Sequence, residues 1–148
     1  MKVACWSGPR NISTALMRSW SSREDTEVID EPFYAYYLNE TKLKHPLFNE
    51  ILNAYSTNYD DIVQHLSGQI PNQKKIWYQK HMSHHLSDLS KIDWVKECEN
   101  CILIRHPKEV ISSYVLKNKL NKVEELGYIQ QYEIVKFLQK SNKSFVII

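Results

Sequence analysis

Apolar positions recur along this chain in two rhythms, short unbroken runs and helical spacing, and the two alternate. Residues 3–6 (VACW) form a short apolar run that stops at Ser7-Gly8-Pro9, which predicts a buried strand ending in a turn. Residues 11–21 then carry Ile12, Leu16, Met17 and Trp20 at helical spacing, with Asn11 or Ser13 as the N-cap. Residues 26–30 (TEVID) alternate, are rich in β-branched side chains and stop at Glu31-Pro32, as a second strand would. An aromatic stretch at 33–38 opens a helical excursion, and residues 47–55 and 59–66 predict two more helices, the second with Asp60 and Asp61 in its first turn. Residues 75–79 (KIWYQ) predict a third strand leading into Lys80-His81-Met82-Ser83-His84-His85. Residues 101–104 (CILI) are a continuous apolar run of the kind buried on both faces of a sheet, ending at Arg105-His106-Pro107. A helix from residue 108, another over 123–140 and a fifth strand over 145–148 (FVII) complete the pattern.

Strands separated by helical crossovers argue for an α/β fold with a mostly parallel five-stranded sheet flanked by helices. The opening strand–loop–helix gives it the form of a P-loop nucleotide-binding domain. Ligands in such sheets sit beyond the carboxyl ends of the strands. The polar clusters after strands one to four, at 7–14, 30–31, 80–85 and 105–106, all fall at that end. No repeat, low-complexity tract or linker divides the chain, so residues 1–148 read as one domain.

Composition narrows the classes of function. With 43% hydrophobic and 24% charged residues, the chain has the material for one globular core. A net charge of +2 gives no basic field for nucleic acid but suits an anionic cofactor. No run approaches the roughly 18 apolar residues of a membrane span. The first residues lack the apolar stretch of a signal peptide, so a cytoplasmic location and no membrane partner are expected. Three cysteines suit a reducing compartment, and the CxxC at Cys98–Cys101 reads as a structural thiol pair because its second cysteine opens a buried strand.

Two clusters carry candidate chemistry. In the first, Gly8, Pro9, Arg10, Asn11, Ser13 and Thr14 lie where a strand passes through a loop into a helix. Free amides and the helix dipole favour an anion there, and Arg10 and the hydroxyls add donors. The plain structural alternative is a turn and helix cap with Arg10 solvated. The loop lacks GxxxxGK[ST] and is not a Walker A motif. In the second cluster Arg105 ends a buried strand and Ser113 lies on the next helix, a pair suited to clamp a phosphate; the alternative is an Arg105–Glu109 ion pair. The histidines at 81, 84 and 85 do not make a zinc pattern, and no metal is expected.

Read together, the two clusters resemble the sulfotransferase family. The features are a strand ending in Ser-Gly-Pro-Arg before Ser-Thr, and CILIRHPKEVISSY at 101–114. The resemblance implies a donor, 3′-phosphoadenosine-5′-phosphosulfate, whose phosphosulfate lies on the Gly8–Thr14 loop and whose 3′-phosphate is held by Arg105 and Ser113. It implies transfer of a sulfuryl group to the hydroxyl or amine of a small-molecule acceptor. Lys80 and Arg10 would stabilise leaving-group charge, and the base would be Glu31 or His81, with Glu31 preferred. Ile12 stands where many members have glycine, and the family's later glycine-rich segment has no counterpart, so the chain reads as short at its C-terminus. A catalytically inactive nucleotide-binding module is therefore an alternative. A P-loop small-molecule kinase is another, opposed by the missing Walker lysine. The last strand, with nothing after it to cover it, makes self-association an expectation.

Overall fold

The computed structural model describes residues 1–43 and 45–148. Five parallel strands form one sheet: β1 (Lys2–Ser7), β2 (Thr26–Asp30), β3 (Ile76–Met82), β4 (Glu99–Leu103) and β5 (Phe145–Ile147), in the spatial order β2-β3-β1-β4-β5. Among the described residues, six α-helices connect or flank them: α1 (Ser13–Ser21), α2 (Tyr34–Thr41), α3 (Phe48–Ala54), α4 (Tyr59–Ser67), α5 (Pro107–Val115) and α6 (Tyr128–Lys140). Because β1 is central, all its residues from Val3 to Ser7 are buried, which is why its sequence runs apolar rather than alternating.

Side chains on the two faces of the sheet build two cores. Ala4, Trp6, Trp77 and Ile102 pack with Leu66 of α4 and Ile134 and Leu138 of α6. Val3, Cys5, Tyr78 and Leu103 pack with Leu16, Met17 and Trp20, the apolar stripe that defines α1. Trp20 stacks on Tyr78 with centroids 5.2 Å apart. The indole N–H of Trp6 donates to Asn100 Oδ1 at 2.9 Å, so this large buried ring leaves no orphan donor.

Most boundaries lie within two residues of the sequence expectation, β4 starting at Glu99 rather than Cys101; two differ by more, each for a local reason. Strand β3 runs on to Met82, because its pairing with β1 continues through Cys5↔Lys80, Trp6↔His81 and Ser7↔Met82. The span expected as one helix over 123–140 is a 3-10 turn at Val123–Leu126 followed by α6. Gly127, at φ 74°, turns the backbone left-handed and separates the two. The first turn of α1 also starts differently: Ile12, not Asn11 or Ser13, is the N-cap, and no side chain caps it.

Candidate active site

The loop between β1 and α1 is shaped by backbone conformation. Arg10 and Ile12 both adopt left-handed φ, at 64° and 55°. With no side chain capping α1, the Ser13 and Thr14 amides remain available to an anion, while those of Ala15 and Leu16 donate to Ile12 O. Asn11 lies inside the loop, 1% exposed, and neither its amide nitrogen nor its oxygen has a partner among the described residues.

The ends of β2 and β3 supply a charge cluster. Lys80 Nζ donates to Asp30 Oδ1 at 2.7 Å and to Glu31 Oε1 at 2.6 Å, and its side chain is 2% exposed. Burial opposes the ammonium charge, but the two carboxylates outweigh burial and hold the Lys80 pKa above its ordinary value. Glu31 is itself left-handed at φ 47°; its N–H donates to Lys80 O at 2.9 Å, and Tyr34 N–H donates to its carbonyl at 2.9 Å. Those bonds fix the turn that carries the Glu31 carboxylate to the strand end.

The third part comes from β4 and α5. Arg105 Nε donates to Glu109 Oε2 at 2.9 Å, so the expected alternative pairing is present. The same guanidinium donates through Nη1 to Arg10 O at 3.3 Å, and Arg10 Nε donates to Ser113 Oγ at 2.9 Å. The two sequence-distant clusters therefore meet. Helix α6 holds this end of the sheet together: Gln131 Nε2 donates to Trp6 O and Leu103 O, each at 3.0 Å. Tyr128 OH adds a bond to Arg105 O at 3.0 Å.

All but two of the expected site residues line one cleft of about 390 Å³ at the carboxyl ends of the strands. They are Pro9, Arg10, Asn11, Ser13 and Thr14 from the loop, with Glu31, Lys80, Arg105 and Ser113. Gly8 does not line it. It lies behind the loop, where a β-carbon would collide with Leu126 O. His81 does not line it either, and this corrects its expected place near the chemistry. Strand periodicity turns its ring to the face opposite Lys80, where it stacks on Trp6 with centroids 4.3 Å apart, beside Phe33 and Trp94. Burial first, and then the Lys80 charge, lower the His81 pKa to about 3, so the ring is neutral. Ile12, expected only as a departure from the family's loop glycine, and Met82, not among the expected site residues, also line the cleft. Met82 was findable, since it shares Lys80's strand face two residues on.

The remaining candidates are aromatic and thiol side chains. His85 stacks on Tyr34 and Tyr37, and His84 meets Tyr37 edge-on. Among the described residues no three His, Cys, Asp or Glu side chains form a metal-sized group. Burial pushes the Cys98 thiol up to about 11, which keeps it protonated and unreactive at neutral pH. Also among the described residues, no helix is long and apolar enough to cross a membrane.

Comparison with known proteins decides the family. A model of the sulfotransferase domain matches residues 1–137. The chain belongs to the sulfotransferase family. Two Arabidopsis thaliana proteins share its sequence: branched-chain-amino-acid aminotransferase-like protein 2, 33% identical over 112 residues, and protein 1, 36% identical over 115. Each alignment covers 76% of this chain but 20% of the relative, so this sulfotransferase domain spans about a fifth of their length. Among solved structures, shikimate kinase from Acinetobacter baumannii in complex with shikimate is similar, with a TM-score of 0.57 at 14% identity. That match covers 99% of this chain and 82% of the kinase, and it establishes the α/β P-loop fold alone.

Proposed function

We propose that the protein transfers a sulfuryl group from 3′-phosphoadenosine-5′-phosphosulfate to a hydroxyl or amine of a small molecule. The observation that carries this reading is the junction of Arg10, Ser113 and Arg105 over one cleft. The residues fit a doubly anionic ligand: two guanidinium groups, three hydroxyls and the uncapped first turn of α1 are all donors. The unpartnered Asn11 amide, buried in the same loop, adds unused hydrogen-bonding capacity. The donor supplies an activated sulfuryl group on a phosphate leaving group.

In this reading the α1 amides, Ser13 and Thr14 hold the phosphosulfate, and Arg105 and Ser113 hold the distal phosphate. Arg10 and Lys80 set positive charge beside the position where negative charge grows on the leaving phosphate. Glu31 Oε1 is held by Lys80, while Oε2 has no partner among the described residues and is the atom that accepts the acceptor's proton. His81 has no part in this chemistry, being buried on the other face.

A module that binds nucleotide without turnover is the second reading, favoured by the direct Lys80–Glu31 pair, in which the ammonium and one carboxylate oxygen engage each other rather than a substrate. Calorimetric titration with 3′,5′-adenosine bisphosphate, on wild type and Arg105→Ala, tests the site. Loss of charge-assisted hydrogen bonds should weaken binding about ten- to a hundredfold in the variant. No binding by folded wild type, or equal binding by both, overturns the reading. Binding without sulfate transfer to any of a panel of phenols and amines would select the second.

A further inference from the structure

A second and larger cleft lies beside the first, between the end of β2 and helices α2, α3 and α4, with a volume of about 690 Å³. That is within the usual size range of small-molecule sites. Its walls are apolar and aromatic, including Ile51, Ile62, Tyr34 and Tyr55. Glu31 is the residue that lines both clefts, so a molecule seated in the larger one reaches the donor loop at the Glu31 carboxylate.

The charge of this cleft is one-sided. Asp30, Glu31 and Asp61 line it, and among the described residues no lysine or arginine does. Lys80 sets one positive charge against Asp30 and Glu31 together. The Asp61 carboxylate has no ion-pair partner among the described residues; its backbone N–H donates to Asn58 Oδ1 at 3.1 Å. The site therefore has an apolar body and an unbalanced negative charge. Such a site favours an apolar cation and repels carboxylates, sulfates and phosphates.

We propose that this cleft is the acceptor site and that it takes an arylalkylamine bearing a ring hydroxyl. The ring packs among Ile51, Ile62, Tyr34 and Tyr55, the ammonium is drawn to Asp61, and the hydroxyl is presented at Glu31. The word "acceptor" rests on the sulfuryl-transfer reading; binding of an aromatic cation at this place does not.

A matched series tests it: tyramine, 4-ethylphenol and 3-(4-hydroxyphenyl)propionate share a phenol and differ in charge. Each is titrated at low ionic strength into wild type, Asp61→Asn and Asp60→Asn, with amide chemical shifts and calorimetry as readouts. Asp60 does not line the cleft and serves as the control. Wild type should bind tyramine tightest, with the carboxylate analogue about tenfold weaker. Asp61→Asn should weaken tyramine about three- to fivefold and leave 4-ethylphenol unchanged, and Asp60→Asn should alter neither. Equal binding of all three phenols, tyramine affinity insensitive to Asp61→Asn, or shift changes outside residues 29–35 and 51–65 overturns the inference. If tyramine binds in this pattern while 3′,5′-adenosine bisphosphate does not bind, the cleft assignment stands and the sulfuryl-transfer reading falls. The converse result overturns only the cleft assignment.

Discussion

Ile12 sits at φ 55° on the rim of the smaller cleft and is 73% exposed. A β-branched residue in left-handed backbone is strained, by roughly 1–2 kcal/mol, and an exposed one recovers little by packing. The left-handed turn at Ile12 leads into α1, and glycine would adopt it without that cost to the folded backbone. Replacing Ile12 by Gly should therefore raise stability by about 1 kcal/mol in urea unfolding, the relief of strain being partly offset by the freer unfolded chain. A loss of stability would mean that the left-handed turn is not strained. Lys80 and His81 carry the other lesson of this scale. As letters they are two neighbouring polar residues after an apolar run, but as strand residues they face opposite sides. One completes the charge cluster, while the other is a core ring stacked on Trp6.

At the scale of elements, the loop depends on what lies behind it. The turn at Val123–Leu126 packs its last carbonyl so close to Gly8 that no β-carbon fits between them. A Gly8→Ala variant must push the two apart and should lose about 1–3 kcal/mol of stability, as overpacked sites do. It should also weaken 3′,5′-adenosine bisphosphate, because the displaced loop carries Arg10. Both effects can be read from one thermal-shift series with and without nucleotide; unchanged stability would show that the turn yields freely. The same turn ends at the residue that interrupts the helix expected over 123–140. The apolar spacing there suits a helix, but Gly127 ends the first turn left-handed and sets α6 against the strand ends, where Gln131 bonds Trp6 O and Leu103 O.

The whole molecule encloses three neutral histidines. Burial lowers His81 to about 3 and His84 to about 4, the latter slightly opposed by Glu125, and it holds His85 well below 6.5. The unfolded chain, with ordinary histidines near 6.5, binds more protons than the folded one below that pH. Their contribution to stability is thus complete above about pH 6.5 and is lost as pH falls toward 4, by up to about 1.4 kcal/mol per pH unit for each. Urea unfolding between pH 7 and pH 4.5 should show this decline. His81→Phe, which keeps the stack with Trp6 and removes one of the three titrating groups, should make it shallower by about a third. An equally steep decline in the variant would assign the acid sensitivity to other groups.

Much was determined by the sequence alone, because strand and helix periods are local. The apolar runs at 3–6 and 101–104 and the alternating, β-branched stretch at 26–30 placed three strands, and Ser-Gly-Pro-Arg and CILIRHPKEVISSY pointed to the family before any contact was known. What followed from non-local pairing was decided only in three dimensions. The order β2-β3-β1-β4-β5 brings Arg10 to Ser113 and Arg105, although about a hundred residues separate them. The continuation of β3 beside β1 assigned Lys80 to the cleft and His81 to the core, since strand length depends on the partner strand as well as on local propensity. The second cleft, with Glu31 as its wall against the first, has no signature in the chain. It is assembled from residues 29 to 65 by the packing of three helices against one strand end, and spacing along the sequence does not record that arrangement.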